Sequence, residues 1–302
     1  MKYYGALEAG GTKMVLAVMD ESGKTLQHAS IPTRTPDETM PEMTDFFSKA
    51  GISALGIGGF GPLNLNKGTA EYGCILDTPK LSWRHFPLLK SFQDSLQVPV
   101  GLDTDVNAAA LAESRLGAAR GLESCLYVTV GTGIGGGIIL HGKPVHGLLH
   151  PEIGHCSAVP VPEDPMPEGI CPYHAHCMEG LASGPSMEKR WGISARELPP
   201  EHPGWEIESA YLAQLCANAI LAFSPERIIL GGGVMQQEFL LPMIRRKTVK
   251  LLNGYIAHPA FDDGLEHYIV RPGLDTRSGI TGAYLLAVEA EKEADAQQVR
   301  GG

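Results

Sequence analysis

Cationic side chains are scarce in this sequence: 24 lysines and arginines stand against 34 aspartates and glutamates, for a formal net charge of −10 over 302 residues. Such a surface repels phosphate backbones and anionic lipid, which argues against nucleic-acid and membrane partners. Long apolar runs are missing too. The opening MKYYGALEAGGTKMVLAVMD holds no signal-peptide core ahead of a small-residue cleavage site, and no later stretch reaches the ~20 apolar residues that span a bilayer. A cytoplasmic protein is the expectation. Six cysteines in a chain of this length are too few for a disulfide framework, and a reducing compartment would open such pairs. Cys74, Cys125 and Cys216 sit among apolar neighbours and read as small core residues. Two nucleotide motifs are also absent. No G-x-x-x-x-G-K-[ST] occurs, which excludes a P-loop, and no G-x-G-x-x-G occupies a strand-to-helix turn, because Gly131-Thr132-Gly133-Ile134-Gly135 runs on into another strand.

Glycine, by contrast, is plentiful at 37 residues, in a chain that is 43% hydrophobic and 19% charged. That composition buries a full core, with two domains expected at this length. Apolar, β-branched or aromatic runs predict strands at 2–7, 14–19, 54–58, 98–102 and 125–130, and helices at 39–49, 87–96, 107–116 and 207–223. Strand, glycine loop, strand opens the chain and returns at Cys125, about half a chain later, which suggests two similar α/β lobes. A third glycine loop follows the strand at 227–230. Proline-rich stretches at 158–172 and 198–204 read as irregular excursions from a domain. From Glu289 the composition predicts a frayed helix end running into a disordered tail.

Consecutive glycines after a strand let the backbone approach a phosphate, and their N–H groups form an anion-binding concavity that needs no basic side chain. The candidates are Gly10-Gly11-Thr12-Lys13, Gly131-Thr132-Gly133 with the glycines that follow, and Gly231-Gly232-Gly233. Tight turns and bulges also demand glycine, so each loop alone has a purely structural reading. Glycines outside these loops are expected mostly at turns. Asp105 precedes the helix-forming NAAALAESRL and reads either as an ordinary N-cap or as a carboxylate held at a strand-to-helix junction. His155, Cys171, His174 and Cys177 offer two imidazoles and two thiolates, a tetrahedral zinc set, with Cys156 and His176 close by in sequence. Free thiols and surface histidines are the alternative.

Four motifs in order, EAGGTK at 8–13, DTDVNAAALAE at 103–113, GTGIGGG at 131–137 and PEIGH at 151–155 with its downstream Cys/His cluster, resemble the ROK (repressor, open reading frame, kinase) family of sugar kinases, in its bacterial fructokinase branch. The resemblance spans nearly the whole chain. It departs from the commoner family pattern in Glu8, where Asp is usual, in TDVN around Asp105, and in CPYHAHC at the zinc loop. It implies an α/β protein of the actin-like, ribonuclease-H-like fold, with two lobes and an active-site cleft between them. A small lobe would take residues 1–117, completed by a helix at 283–302, and a large lobe carrying the zinc loop would take 118–282. A homodimer is implied as well.

The implied reaction is ATP-dependent phosphorylation of a hexose at its 6-hydroxyl, D-fructose first and mannose or another hexose second, with Asp105 as general base. Glu8 would order Mg2+ through water, while Gly10, Gly11, Thr12, Lys13, Gly131, Thr132 and Gly133 face the phosphates. Pro185, Gly232 and Gly233 would face the adenosine. The sugar would meet Gly61, Thr78, Thr104, Asn107, Glu152, His155 and Glu179, a carboxylate accepting from two neighbouring hydroxyls at once. His174 is preferred to His176 as the fourth ligand of a structural Zn2+. Asp103 is left as a strand end. The family also includes sugar-responsive repressors, but these carry a DNA-binding domain ahead of the first glycine loop, where seven residues stand here, and retained Asp105 speaks against a non-catalytic sensor.

Overall fold

The first strand is followed by its own antiparallel partner across a glycine turn. In the computed structural model, which describes residues 1–301, β1 (Tyr3–Ala9) pairs with β2 (Lys13–Asp20) so that Leu7 opposes Leu16. β3 (Thr25–Pro32) lies on the outer side of β2. α1 (Pro36–Ala50) begins where the Glu38 carboxylate accepts from the Thr35 N–H at 3.2 Å, and it ends on Gly51 in the left-handed region, φ 61°. β4 (Ala54–Gly59), α2 (Leu88–Leu96), β5 (Val100–Thr104) and α3 (Asp105–Leu116) follow. The sheet order is β3-β2-β1-β4-β5, with β4 parallel to β1 and β5 parallel to β4.

The same topology then recurs. β6 (Cys125–Val130) and β7 (Ile134–Leu140) form an antiparallel hairpin, with β8 (Lys143–Pro144) beyond β7. The helices α4 (Met178–Ala182), α5 (Gly184–Trp191) and α6 (Gly204–Phe223) precede β9 (Ile228–Gly231), which lies parallel to β6. α7 (Leu240–Leu252), β10 (Ile269–Val270) and α8 (Ser278–Gly301) complete the chain. The second order, β8-β7-β6-β9-β10, matches the first strand for strand. The duplication suggested by two glycine hairpins is therefore a duplication of sheet topology, and the fold is the actin-like α/β class that the motifs implied.

Residues fall into two units: Met1–Ala112 with Pro144–His150 and the segment from Arg277 onward, and Glu113–Lys143 with Pro151–Thr276. This division places 113–117 in the second unit and the short 144–150 segment in the first. In the first unit, period-two alternation gives the sheet two buried faces. Leu7, Leu16, Leu55 and Ile57 pack with Met43 and Phe47 of α1 and Phe92 of α2, and the Phe47 and Phe92 rings meet edge to face at 6.4 Å. Each such side chain contributes about 1.5–3 kcal/mol on burial. Tyr4, Ala6, Ala17 and Ala54 pack against Ile280, Ala283, Tyr284 and Ala287 of α8. The small residues let that helix lie close. A Cβ on Gly56 would stand 1.8 Å from the Ala283 carbonyl oxygen, and one on Gly101 would stand 2.4 Å from that of Leu286.

α8 overturns the tail expected from Glu289, because the helix continues to Gly301, with Glu291 anchored by Tyr4 Oη at 2.7 Å and Lys2 Nζ at 3.1 Å. Residue 302, included in the expected helix, lies outside the described residues. In the second unit, α6 is buried on most sides, as its apolar composition requires. The proline-rich stretch at 158–172 is pinned to α5 and α6 by a buried network. Asp164 accepts from Arg190 Nε at 2.7 Å and from Tyr211 Oη at 2.7 Å. Cys125 and Cys216 are buried and Cys74 is half-buried, all three as thiols. No described helix is long and apolar enough to cross a membrane.

Candidate functional site

The first glycine turn is shaped by backbone bonds rather than by its own side chains. Gly10 N–H donates to the Lys13 carbonyl at 3.0 Å, and Thr33 holds the carbonyls of Gly10 (Oγ1, 2.7 Å) and Thr12 (N–H, 3.0 Å). Thr12 and Lys13 are exposed. Lys80 adds a cation that none of the motifs pointed to: its Cε lies 3.6 Å from where a Cβ on Gly11 would be. Glu8, two residues before Gly10, packs its carboxylate against Gly279 in the first turn of α8, where a Cβ would stand 2.7 Å from Cδ. Burial raises the Glu8 pKa and the neighbouring Lys13 opposes that rise. A helix N-terminus is favourable surroundings for such a carboxylate.

Where β5 runs into α3, three consecutive residues divide the work. Thr104 is the N-cap: its Oγ1 accepts from the Asn107 N–H at 3.1 Å. Asp105 is therefore not the cap, and its Oδ1 accepts from the adjacent Val106 N–H at 2.9 Å. Gly58 of β4 lets this end of α3 come close, since a Cβ there would stand 3.4 Å from the Asp105 Cα and 3.0 Å from the Ala108 Cβ. Asp103, expected only to end a strand, is buried and accepts from Thr104 N–H at 2.7 Å, Asn107 Nδ2 at 2.8 Å and His146 Nε2 at 3.0 Å. That bond to Asp103 raises the His146 pKa above the usual histidine value. Gly61 and Thr78 lie on loops tied together: Leu76 N–H donates to the Pro62 carbonyl at 2.8 Å, and Thr78 N–H to that of Leu76 at 2.9 Å. The Gly61–Pro62 peptide is cis.

The second unit gathers its own set. Gly131 N–H donates to the Gly133 carbonyl at 2.9 Å, and Gly184 N–H to that of Gly131 at 2.8 Å, which brings the first turn of α5, with exposed Pro185, onto the hairpin. Gly233 comes to the same turn, its N–H 3.9 Å from a Cβ built on Gly131. Gly232 needs its φ of +94°, and a Cβ there would lie 2.4 Å from the Val130 carbonyl oxygen. Thr132 is exposed at the tip. The nucleotide residues expected in this unit, at 131–133, 185 and 232–233, thus lie around one turn.

Glu179 links that turn to the cysteine and histidine cluster. Its Oε2 accepts from Ile134 N–H at 3.0 Å and occupies the space of a Gly133 side chain, 2.4 Å from the ideal Cβ. Its Oε1 stands 3.8 Å from His155 Nε2. The other nitrogen, His155 Nδ1, faces Cys171 Sγ at 3.9 Å and Cys177 Sγ at 3.8 Å, and His174 Nδ1 lies 3.7 Å from Cys171 Sγ. All four ligand atoms fall within 4.8 Å of one another. A tetrahedral ion with bonds of about 2.1–2.3 Å places its ligands about 3.4–3.8 Å apart, so the donor set and spacing fit zinc. His176 turns away, with Nδ1 2.7 Å from the Pro167 carbonyl and Nε2 3.5 Å from Glu168. Burial pushes the Cys177 thiol up. Glu152 is exposed as a whole residue, but burial around its carboxylate, and then the charge of Glu179, raises its pKa.

A sequence profile described as the ROK family matches residues 4–290. The chain is 44% identical over 290 residues to a Pediococcus pentosaceus protein named fructokinase, covering 96% of this chain and 99% of that one. Among solved structures, the ROK hexokinase of Thermus thermophilus aligns with a TM-score of 0.79 at 29% identity, covering 96% and 99% of the two chains. A ROK family glucokinase from Streptomyces griseus, in complex with glucose and AMPPNP, aligns with a TM-score of 0.73 at 25% identity, covering 95% and 99%.

Proposed function

Because the chain belongs to the ROK family, we propose that it transfers the γ-phosphoryl group of ATP to the 6-hydroxyl of a hexose, D-fructose in the first place, with Asp105 as general base. The observation that carries this reading is the division of labour at the start of α3. Thr104 Oγ1 takes the capping bond from the Asn107 N–H while Asp105 Oδ1 accepts from the Val106 N–H, which supports a role for the Asp105 carboxylate other than capping. Identity to a protein named fructokinase over nearly the full length of both chains supplies the substrate class.

Asp105 takes the proton of the 6-hydroxyl as its oxygen bonds to the γ-phosphorus, and the bond to the β,γ-bridging oxygen breaks to release ADP. The Gly10–Lys13 and Gly131–Gly133 turns hold phosphate oxygens by backbone N–H groups and the Thr12 and Thr132 hydroxyls. Lys80 supplies charge that the acidic composition otherwise lacks. Pro185, Gly232 and Gly233 border the adenosine. Asn107, Glu152, Glu179 and His155 bind sugar hydroxyls, together with the loops of Gly61 and Thr78, and Thr104 keeps its hydroxyl proton for donation. Bound Mg2+ would neutralise charge on the phosphates, and Glu8 is the residue to order it through water. His155, Cys171, His174 and Cys177 would hold a structural Zn2+ that pins the loop leading to Glu179. A homodimer working in the cytoplasm belongs to the same proposal and follows from the family resemblance.

The test is a panel of hexoses with ATP and magnesium, in which D-fructose is expected to give the highest kcat/KM. A higher value for mannose would move the assignment to the second reading, and no ATP consumption with any sugar would remove the kinase proposal. For the metal, elemental analysis of unchelated protein is expected to find about one zinc per chain. Metal-free protein that stays folded would return the four ligands to ordinary side chains.

A further inference from the structure

Residues 144–150 pack with the first unit although the chain on either side of them belongs to the second, and none of the sequence motifs before Pro151 covers them. Leucines do not hold this segment in place, because Leu148 is 91% exposed and Leu149 is 50% exposed. Two imidazoles do. His146 Nε2 stands 3.1 Å from Asp103 Oδ1, 3.0 Å from Asp103 Oδ2 and 3.4 Å from Asn107 Nδ2. His150 Nε2, buried, accepts from the Leu63 N–H at 3.1 Å, two residues after Gly61.

Each bond fixes something beyond itself. Asp103 is only 4% exposed, and buried carboxylate oxygens need hydrogen-bond donors in place of water. His146 completes that set. The Asn107 amide is planar, so anchoring Nδ2 on Asp103 at 2.8 Å determines where its carbonyl oxygen points and prevents the flip that would exchange donor for acceptor. The Leu63 N–H held by His150 sets the backbone immediately behind Gly61–Pro62. One seven-residue segment thus holds the two first-unit loops that carry Asn107 and Gly61.

We propose that residues 144–150 are a strap that positions the sugar-binding loops of the first unit, His146 orienting Asn107 through Asp103 and His150 orienting the backbone behind Gly61. The proposal rests on the sugar-kinase reading above. His146 is a positioning residue and touches no reacting atom.

The test compares His146→Ala with His146→Gln, whose amide N–H can still donate to Asp103. In the alanine variant the sugar KM, and the sugar dissociation constant measured by calorimetry without ATP, are expected to rise ~10-fold, the effect of losing one hydrogen bond to a charged group. The ATP KM should stay within twofold, and the glutamine variant should recover most of the sugar affinity. Hydrogen exchange should quicken ~10-fold at the amides of 103–107 and remain unchanged in α1 and α2 of the same unit. Sugar affinity within twofold of wild type in His146→Ala, equal losses in both variants, or faster exchange spread over the whole unit would each overturn the strap. Wild-type turnover decides the kinase reading separately, and the exchange measurement decides the strap whichever way turnover comes out.

Discussion

The two glycine hairpins occupy the same position in matched five-stranded sheets, but glycine serves different ends around them. In the first unit the critical glycines lie in strands and helices. Gly56 and Gly101 clear the sheet for α8, and Gly282 of α8 clears the way to α3, where a Cβ would stand 1.9 Å from the Ala108 carbonyl oxygen. In the second unit, Gly133 clears space for a carboxylate, that of Glu179, which is bonded to the hairpin at Ile134. Each copy holds both kinds: Gly279 of the first unit likewise leaves room for the Glu8 carboxylate, and Gly232 of the second meets the Val130 backbone. A glycine that meets rigid backbone is a stability device. One that meets a proposed ligand-binding side chain is a device of the site.

The most severe way to probe the contrast is at Asp105, the acid that the first copy carries at the start of α3. Asp105→Asn is expected to lower kcat by about 10²–10⁴, the range for loss of a general base, while the sugar dissociation constant changes little. Near-normal turnover would remove Asp105 from the mechanism. Next come paired glycine substitutions. Gly133→Ala should cost about 10–100-fold in kcat/KM through displacement of Glu179, with a small change in unfolding midpoint. Gly282→Ala should cost about 1–3 kcal/mol in denaturant unfolding through overpacking, with the folded fraction keeping its kcat. The reverse pattern would erase the distinction between the two kinds of glycine.

A smaller effect concerns buried acids. Asp103 in the first unit and Asp164 in the second are fully bonded, whereas Glu208 of α6 is buried with both carboxylate oxygens unpartnered. Burial holds its pKa well above the ordinary glutamate value. With the folded pKa raised, the folded state keeps a proton that the unfolded chain has lost, so the stability from this group is complete below about pH 4.5 and falls as pH rises through the folded value. Glu208→Gln should flatten that slope, and Glu208→Met should stabilise by about 1 kcal/mol near neutral pH. A destabilised Met variant would show that the acid has a partner in solution.

What could be read from the sequence was what is local in it. Both hairpins, the helix after Asp105 and the C-x-x-H-x-x-C loop are runs of neighbouring residues, and the structure places them where those runs predicted. The same locality offered Asp105 as the cap, whereas the Asn107 N–H bonds to Thr104, an equally good capping residue one position earlier. His146 bonds to Asp103 from 43 residues away and Glu179 to Ile134 from 45, separations at which no periodicity carries a signal. The glycines inside strands and helices were hidden for the same reason. A turn announces itself in adjacent residues, but the need for Gly56 arises from Ala283, on a helix at the other end of the chain.

That helix has a consequence for the order in which the protein can be made. α8 lies on β1, β4 and β5, which are made long before it, and every residue of the second unit leaves the ribosome before Ser278 does. The unit begun first is finished last. Throughout synthesis of the second unit the alanine and glycine face of that sheet lacks the helix that covers it, a topology at odds with the usual completion of the N-terminal domain first.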